Sequence, residues 1–206
     1  MNTVQIHGIP VSSYVRTARM AAAEKGVAHE LVPVEFGADS HRALHPFAKV
    51  PAMTHGDVTL YETIAIVDYF DRMFQGGTQL FPSDDLAHVR TMEFISVATS
   101  YLYPACIGDL VLHYLFPKGD GGTPDRKAID AAIPKVKHGL AVVDAALKDR
   151  EWLAGPFSAA DLFVSAIVVS IGATPEKTLL ADAPNLQRLV DGVAKRPAGE
   201  FLVPKT

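Results

Sequence analysis

The chain is short of cysteine, of net charge and of long hydrophobic runs, and each shortage excludes something. Cys106 is the only cysteine, so no intramolecular disulfide can form and a two-cysteine redox pair is ruled out. One thiol cannot build a thiolate cage either. The eight histidines form no ligand-like cluster, so no metal site is expected. Cys106 therefore reads as a packed core residue. The net charge is −4 and the isoelectric point about 6.0, which gives no electrostatic reason to expect nucleic acid or an anionic membrane surface as partner. The longest near-apolar stretch, Leu162 to Ala173, is too short to span a bilayer and contains two serines. The start, MNTVQIHG, lacks the basic residues and the apolar run of a signal peptide. There is no internal repeat and no low-complexity block. What is present is ample core material, 49% hydrophobic residues in 206, enough for one large domain or two small ones. A cytoplasmic enzyme is the expectation.

The style of the sequence changes near Gly76. Before it, short β-like runs alternate with helical ones; after it, nearly everything reads as helix, which predicts two domains. Thr3 to His7 reads as a strand ended by Gly8-Ile9-Pro10. Ser13 to Lys25 is alanine-rich and helical, with Gly26 as its stop. His29 to Val34 is a second strand, completing a βαβ unit of about thirty residues. Ala52 to His55 and Val58 to Leu60 flank Gly56-Asp57 as a hairpin. Glu62 to Phe74 is a helix with Ile66, Tyr69, Phe70 and Met73 on one face. The boundaries that follow are residues 1–76, a linker over 77–84 and an all-α domain over 85–206. Ser83 is the expected cap of a helix starting at Asp84 or Asp85. Pro124 to Lys148 carries one apolar stripe (Ile129, Ile133, Val136, Leu140, Val143 and Leu147), with Thr123 as cap and Pro134 predicted to kink it. Ser158 and Asp161 form a capping box before Leu162 to Ile171, which is apolar nearly all round and so is expected at the middle of a bundle. A last helix runs from Pro184 to Lys195.

Four segments, in this order and spacing, resemble the glutathione transferase family. Ile6 to Arg16 (IHGIPVSSYVR) is similar to the first strand, active-site loop and first helix of its serine-type classes, most of all the phi class. His45 to Pro51 (HPFAKVP) matches the family's Asn-Pro-x-Gly-x-Val-Pro, whose final proline is cis. Leu60 to Ala65 (LYETIA) is similar to its Glu-Ser followed by a helix, and Phe157 to Asp161 to the Ser-x-x-Asp box of its C-terminal domain. The chain departs from these patterns with His45 for Asn, Ala48 for Gly, Lys49 for Gln and Thr63 for Ser, and the stretch from Phe36 to His45 is short. The resemblance implies a thioredoxin-like βαβ-ββα domain followed by an all-helical bundle.

It also implies a chemistry. Glutathione carries a thiol that is mostly protonated at neutral pH, so a catalyst must lower its pKa. The N-terminus of a helix and a donated hydroxyl both do so, and they coincide at Ser12 and Ser13. The resemblance aligns Ser12 with the family's catalytic serine; Ser13 is the alternative, and either also reads as a simple helix cap. Arg16, one turn on, is a candidate for orienting the loop or raising the local potential. Thr63 is expected to bind the γ-glutamyl carboxylate at a second helix start, with Glu62 facing the ammonium. Val50, before Pro51, is expected to pair with the cysteinyl residue like a short added strand. Lys49, with His41 or Arg42, is the candidate for the glycine carboxylate.

By resemblance Phe47 anchors a homodimer. Ile9, Phe36, Tyr101, Tyr103, His113 and Phe116 are candidates to meet a small, mostly apolar electrophile, although most could equally be core. Competing readings keep the fold: a glutathione-dependent isomerase, peroxidase or dehalogenase, or a non-catalytic binding protein. Thiol–disulfide exchange is disfavoured by serine in the active-site loop.

Overall fold

The computed structural model describes residues 3–204. They divide into two compact units, one running to Phe81 and resumed from Val193 onward, the other Pro82–Gly192.

The first unit is built on a four-stranded sheet ordered β2-β1-β3-β4, with β1 Val4–His7, β2 His29–Val32, β3 Ala52–His55 and β4 Val58–Tyr61. β1 and β2 are parallel, joined by helix α1 (Ser13–Glu24); β3 runs antiparallel to β1, and β4 returns antiparallel to β3. The branched residues Val4 and Ile6 are buried, as the period-2 pattern requires. Gly26 stops α1 at φ 67°, the left-handed conformation read from the sequence. A short helix α2 (Asp39–Leu44) fills what reads from sequence as an irregular stretch; six residues are too few for a periodic signal. Helix α3 (Thr63–Met73) buries Ile66, Val67 and Phe70. Met73, expected on the buried face, is exposed at the last position of the helix.

The expected linker is partly fastened down. The Asp71 carboxylate pairs with Lys25 and accepts from the Leu80 and Phe81 N–H groups, and both apolar side chains are buried. Gly77 passes so near α1 that a Cβ there would lie 2.0 Å from the Glu24 carbonyl oxygen.

In the second unit, α4 (Asp85–Val97) runs on through a wide π-type stretch (Ala98–Val111, containing Pro104) into α5 (Leu112–Leu115). By length and composition this continuous stretch, Asp85–Leu115, is apolar enough to cross a bilayer, unlike the segment singled out from sequence. Its apolar residues Phe94, Ile95, Leu102 and Leu110 are instead buried within the helical unit. Helix α6 (Arg126–Ala146) packs on the π-type stretch, close enough that a Cβ on Gly139 would meet Leu102 Cδ2 at 2.8 Å. Pro134 does not break α6: it is exposed, so the backbone acceptor it leaves unpaired faces water.

Two caps differ from expectation. Asp84 rather than Ser83 caps α4, accepting from Ala87 N–H at 2.9 Å. Asp125 rather than Thr123 caps α6, accepting from Ala128 N–H at 3.0 Å. In each case a carboxylate adds charge to the same hydrogen bond. Helix α7 (Ala159–Gly172) is buried along most of its length and packs on α4 and the π-type stretch, with the expected Ser158–Asp161 capping box. Helices α8 (Pro184–Ala194) and α9 (Gly199–Leu202) complete the chain.

Asp161 is fully buried. Burial pushes its carboxyl up to about 7, against the donors that favour its charged form: Leu153 N–H at 2.9 Å, Ser158 N–H at 2.8 Å and the Ser158 hydroxyl at 3.3 Å. Replacing it with alanine orphans two buried N–H groups. Asp161→Ala is expected to destabilise the protein by about 2–4 kcal/mol, read as a lowered denaturant midpoint. A midpoint within error of the wild type would contradict this role.

Candidate active site

Strand register assembles the site. His7, Ala52 and Tyr61 lie side by side across β1, β3 and β4, and with these strand directions the chain leaves β1, enters β3 and leaves β4 at the same end of the sheet. Neighbouring strands are roughly 5 Å apart, so the segments beyond these three residues share one edge. They are the loop to Ser12, the Val50-Pro51 pair and Glu62-Thr63. Gly8 permits the close approach: a Cβ there would come within 2.5 Å of Val15 Cγ2 and 3.3 Å of Val50 Cβ.

Ser12 is the N-cap of α1 and half-buried. Its Oγ accepts from Val15 N–H at a long 3.4 Å, and its own hydroxyl hydrogen has no acceptor among the described residues. Ser13 differs. It is 3% exposed, and its Oγ is buried without a partner, out of reach of solvent.

The start of α3 is unusual. No side chain caps it, and Glu62, at the N-cap position, has φ 71°, a conformation L-residues seldom adopt. Its first-turn N–H groups are thus open toward the shared edge, whereas α4, α6 and α7 are each capped by their own carboxylates or hydroxyls. The Glu62 carboxylate is exposed, Thr63 is buried, and neither side chain makes a hydrogen bond or ion pair among the described residues.

The Val50–Pro51 peptide is cis, as the resemblance implies. The Val50 N–H and C=O form no hydrogen bond among the described residues. Ala48 holds φ 51° in place of a glycine, an arrangement that costs an L-residue about 1 kcal/mol. Lys49 is exposed.

Two expected site residues are otherwise engaged. His41 is buried: its Nδ1 accepts from Gly37 N–H at 3.3 Å, so its Nε2 carries the hydrogen and donates to the Lys49 carbonyl at 2.9 Å. Both ring nitrogens are spent on bracing the loop, and none is left for a ligand carboxylate. Arg16 is 1% exposed, with its guanidinium donating to the Leu202 carbonyl and burial lowering its pKa to about 10. It is tied to the chain's last segment rather than offered to a ligand. Arg42 is exposed and donates to the Gly37 carbonyl.

Sequence reading missed an aromatic group at this edge. His45 is buried with its ring 5.1 Å from Tyr61 and 6.2 Å from Phe47, and its Nδ1 has no hydrogen-bond partner. Burial holds its pKa down, and nearby Glu62 opposes this. Phe47 itself is 69% exposed.

Of the apolar candidates, Ile9 is half-buried, and Phe36 is exposed with its ring edge-on to His41 at 5.4 Å. In the helical unit Tyr101 is 70% exposed, Phe116 is exposed, and Tyr103 and His113 are half-buried. Burial raises the Tyr103 pKa. Cys106 is fully buried, and its thiol is pushed up to about 12, which leaves it protonated and unreactive. No group of three or more metal-binding side chains occurs among the described residues.

Comparison with known proteins finds one family along the chain. Residues 6–78 match the family model for the glutathione S-transferase N-terminal domain, and residues 95–197 that for the C-terminal domain. Glutathione S-transferase 4 of Zea mays is 32% identical over 205 residues, covering 95% of this chain and 89% of the maize protein. The apo structure of glutathione S-transferase III superposes with a TM-score of 0.86 at 28% identity, covering 99% of both chains. Glutathione S-transferase I from maize, solved in complex with an atrazine glutathione conjugate, gives 0.84 at 28% identity, covering 97% of this chain and 96% of that one. With both domains matched in order and by relatives of nearly its full length, the chain belongs to the glutathione S-transferase family and carries that family's transferase function.

Proposed function

We propose that the chain binds glutathione along the shared sheet edge and activates its thiol at Ser12 for attack on a small, mostly apolar electrophile. The observation that carries this reading is the pair of helix starts at that edge. At α1 the capping serine keeps its hydroxyl hydrogen free, and α3 has no side-chain cap. Each suits a negative charge from outside the chain: the thiolate at Ser12, the γ-glutamyl carboxylate at Thr63. Glu62 faces the γ-glutamyl ammonium. The free Val50 N–H and C=O pair with the cysteinyl residue, and Lys49 takes the glycine carboxylate. His41 serves that contact indirectly, by fixing the Lys49 carbonyl.

The chemistry is one proton and one bond. The thiol proton leaves to solvent, the Ser12 hydroxyl donates to the sulfur, and the thiolate displaces a leaving group or adds to the electrophile. For the second substrate, Ile9 and Phe36 are the apolar contacts proposed in the first unit, and Tyr101, Tyr103, His113 and Phe116 those proposed in the second. The exposed surface supports a homodimer: Phe47 in the first unit and, in the second, Leu86, Val89 and Met92, which recur every three residues on α4. A cytoplasmic setting and a detoxifying role belong to the same proposal and rest on the family resemblance.

Ser12→Ala is expected to raise the apparent pKa in the pH profile of kcat/KM by about two units, with a small effect on glutathione affinity and none from Ser13→Ala. An unchanged profile in Ser12→Ala would rule out its role. Glu62→Gln should weaken glutathione binding roughly 10- to 100-fold by calorimetry, the effect of losing a charged hydrogen-bond partner; an unchanged dissociation constant would refute the assignment. For Phe47→Ala, sedimentation should show the dimer dissociating at a concentration about tenfold higher or more. A variant that stays as dimeric as the wild type would remove Phe47 as the anchor.

A further inference from the structure

Helix α1 carries more burial than one sheet contact explains. A helix on a sheet normally buries a single stripe, yet nine of the twelve residues of α1 are buried, including Arg16 and Glu24. Helix α3 covers part of α1, and the chain's last segment covers a further part, since α9 also packs on α1 within the first unit. The contacts are specific. The Arg16 guanidinium donates to the Leu202 carbonyl. Phe201 lies beneath the Arg19 guanidinium, 4.2 Å from its ring centroid, and 5.0 Å from the His29 ring. The Glu24 carboxylate accepts from Arg196 at 2.8 and 3.2 Å, from Ala198 N–H at 3.1 Å and from the Thr78 hydroxyl at 2.8 Å. Both charges that α1 buries are thus answered by the same segment, one near each end of the helix.

Ser12 caps the near end, and Arg16 N–H donates to its carbonyl at 3.0 Å, so a shift of α1 moves Ser12 with it. The glutathione-binding groups at Val50, Glu62 and Thr63 lie off α1, on the loop before β3 and at the start of α3. Hydrogen bonding and the helix-end field both fall steeply with displacement, and a misplacement of about 1 Å can cost roughly a hundredfold in rate.

We propose that the C-terminal segment Arg196–Leu202 is a strap that positions α1, and through it Ser12, with Arg16 and Phe201 as positioning residues. The strap sets thiol reactivity and leaves glutathione affinity to the other elements. This rests on the assignment of thiol activation to Ser12.

The test titrates bound glutathione by its ultraviolet thiolate absorbance in the full-length wild type and in Arg16→Ala, Arg16→Lys and Phe201→Ala, with dissociation constants measured alongside. Arg16→Ala and Phe201→Ala should each raise the bound-thiol pKa by about one unit and lower kcat roughly threefold near neutral pH and roughly tenfold in the acidic range, with Kd changed less than about twofold. Arg16→Lys, which keeps a donor for the Leu202 carbonyl, should recover most of the loss. Phe201→Ala leaves the Arg16 charge in place, so its shift separates position from charge, and it carries the test alone if Arg16→Ala does not fold. A wild-type thiol with depressed pKa that stays unshifted in Phe201→Ala would overturn the strap, as would kcat and affinity falling in parallel. An unshifted thiol in the wild type itself would instead overturn the role of Ser12 on which the strap depends.

Discussion

A helix cannot begin without leaving N–H groups that its own backbone does not satisfy. How each helix start meets that demand organises this protein. In the helical unit the chain supplies its own acceptors: Asp84 for α4, Asp125 for α6, and the Ser158–Asp161 box for the buried α7. In the sheet unit the demand is left partly unmet. α1 has a long bond to a serine, α3 has no side-chain cap, and both starts lie at the sheet edge where the Val50 backbone is also unpaired. Self-capped helices are finished objects. Helices left open at a common edge suit a ligand with negative charge and a backbone of its own, the part that the proposal gives to glutathione.

Keeping two helix starts open requires their helices to be held by other means. For α3 the hold is apolar, through Ile66, Val67 and Phe70. For α1 it is apolar on one face and ionic on the other, with Glu24 and Arg16 buried against the segment that follows α8. Removing one partner of such a buried charge leaves the other uncompensated, so these contacts define where the helix sits more than they add net stability. The same logic extends to Asp71, which ties Lys25 and the Leu80-Phe81 backbone together and makes most of the apparent linker part of the sheet unit.

Much of this was legible in the sequence. The β-α-β and β-β-α orders, the hairpin, the Gly26 stop and the capping box were read at nearly their observed bounds, because each depends on local chemistry. So was the apolar stripe of α6. The active-site edge was legible only through motifs: Ser12, Val50, Glu62 and Thr63 are far apart in sequence and meet because of strand register, which no local pattern encodes. What escaped were features set by tertiary partners. His41 reads as a spare cation but spends both nitrogens inside its loop, and Arg16 reads as an active-site charge but is answered by a carbonyl 186 residues away. Short elements such as α2 and α9 have too few residues for a period to show. The membership of Val193 onward in the first unit rests on contacts with Arg16, Glu24 and, through Phe201, Arg19 and His29, which no local pattern in the sequence encodes.

The central claim is that the open start of α1 holds a thiolate. The measurement that meets it most directly is a pH titration of glutathione bound to the wild-type protein, followed by thiolate absorbance in the ultraviolet. The account predicts a thiol pKa about two units below that of a free thiol, with the signal persisting into the acidic range. A bound thiol that titrates where free glutathione does would contradict it.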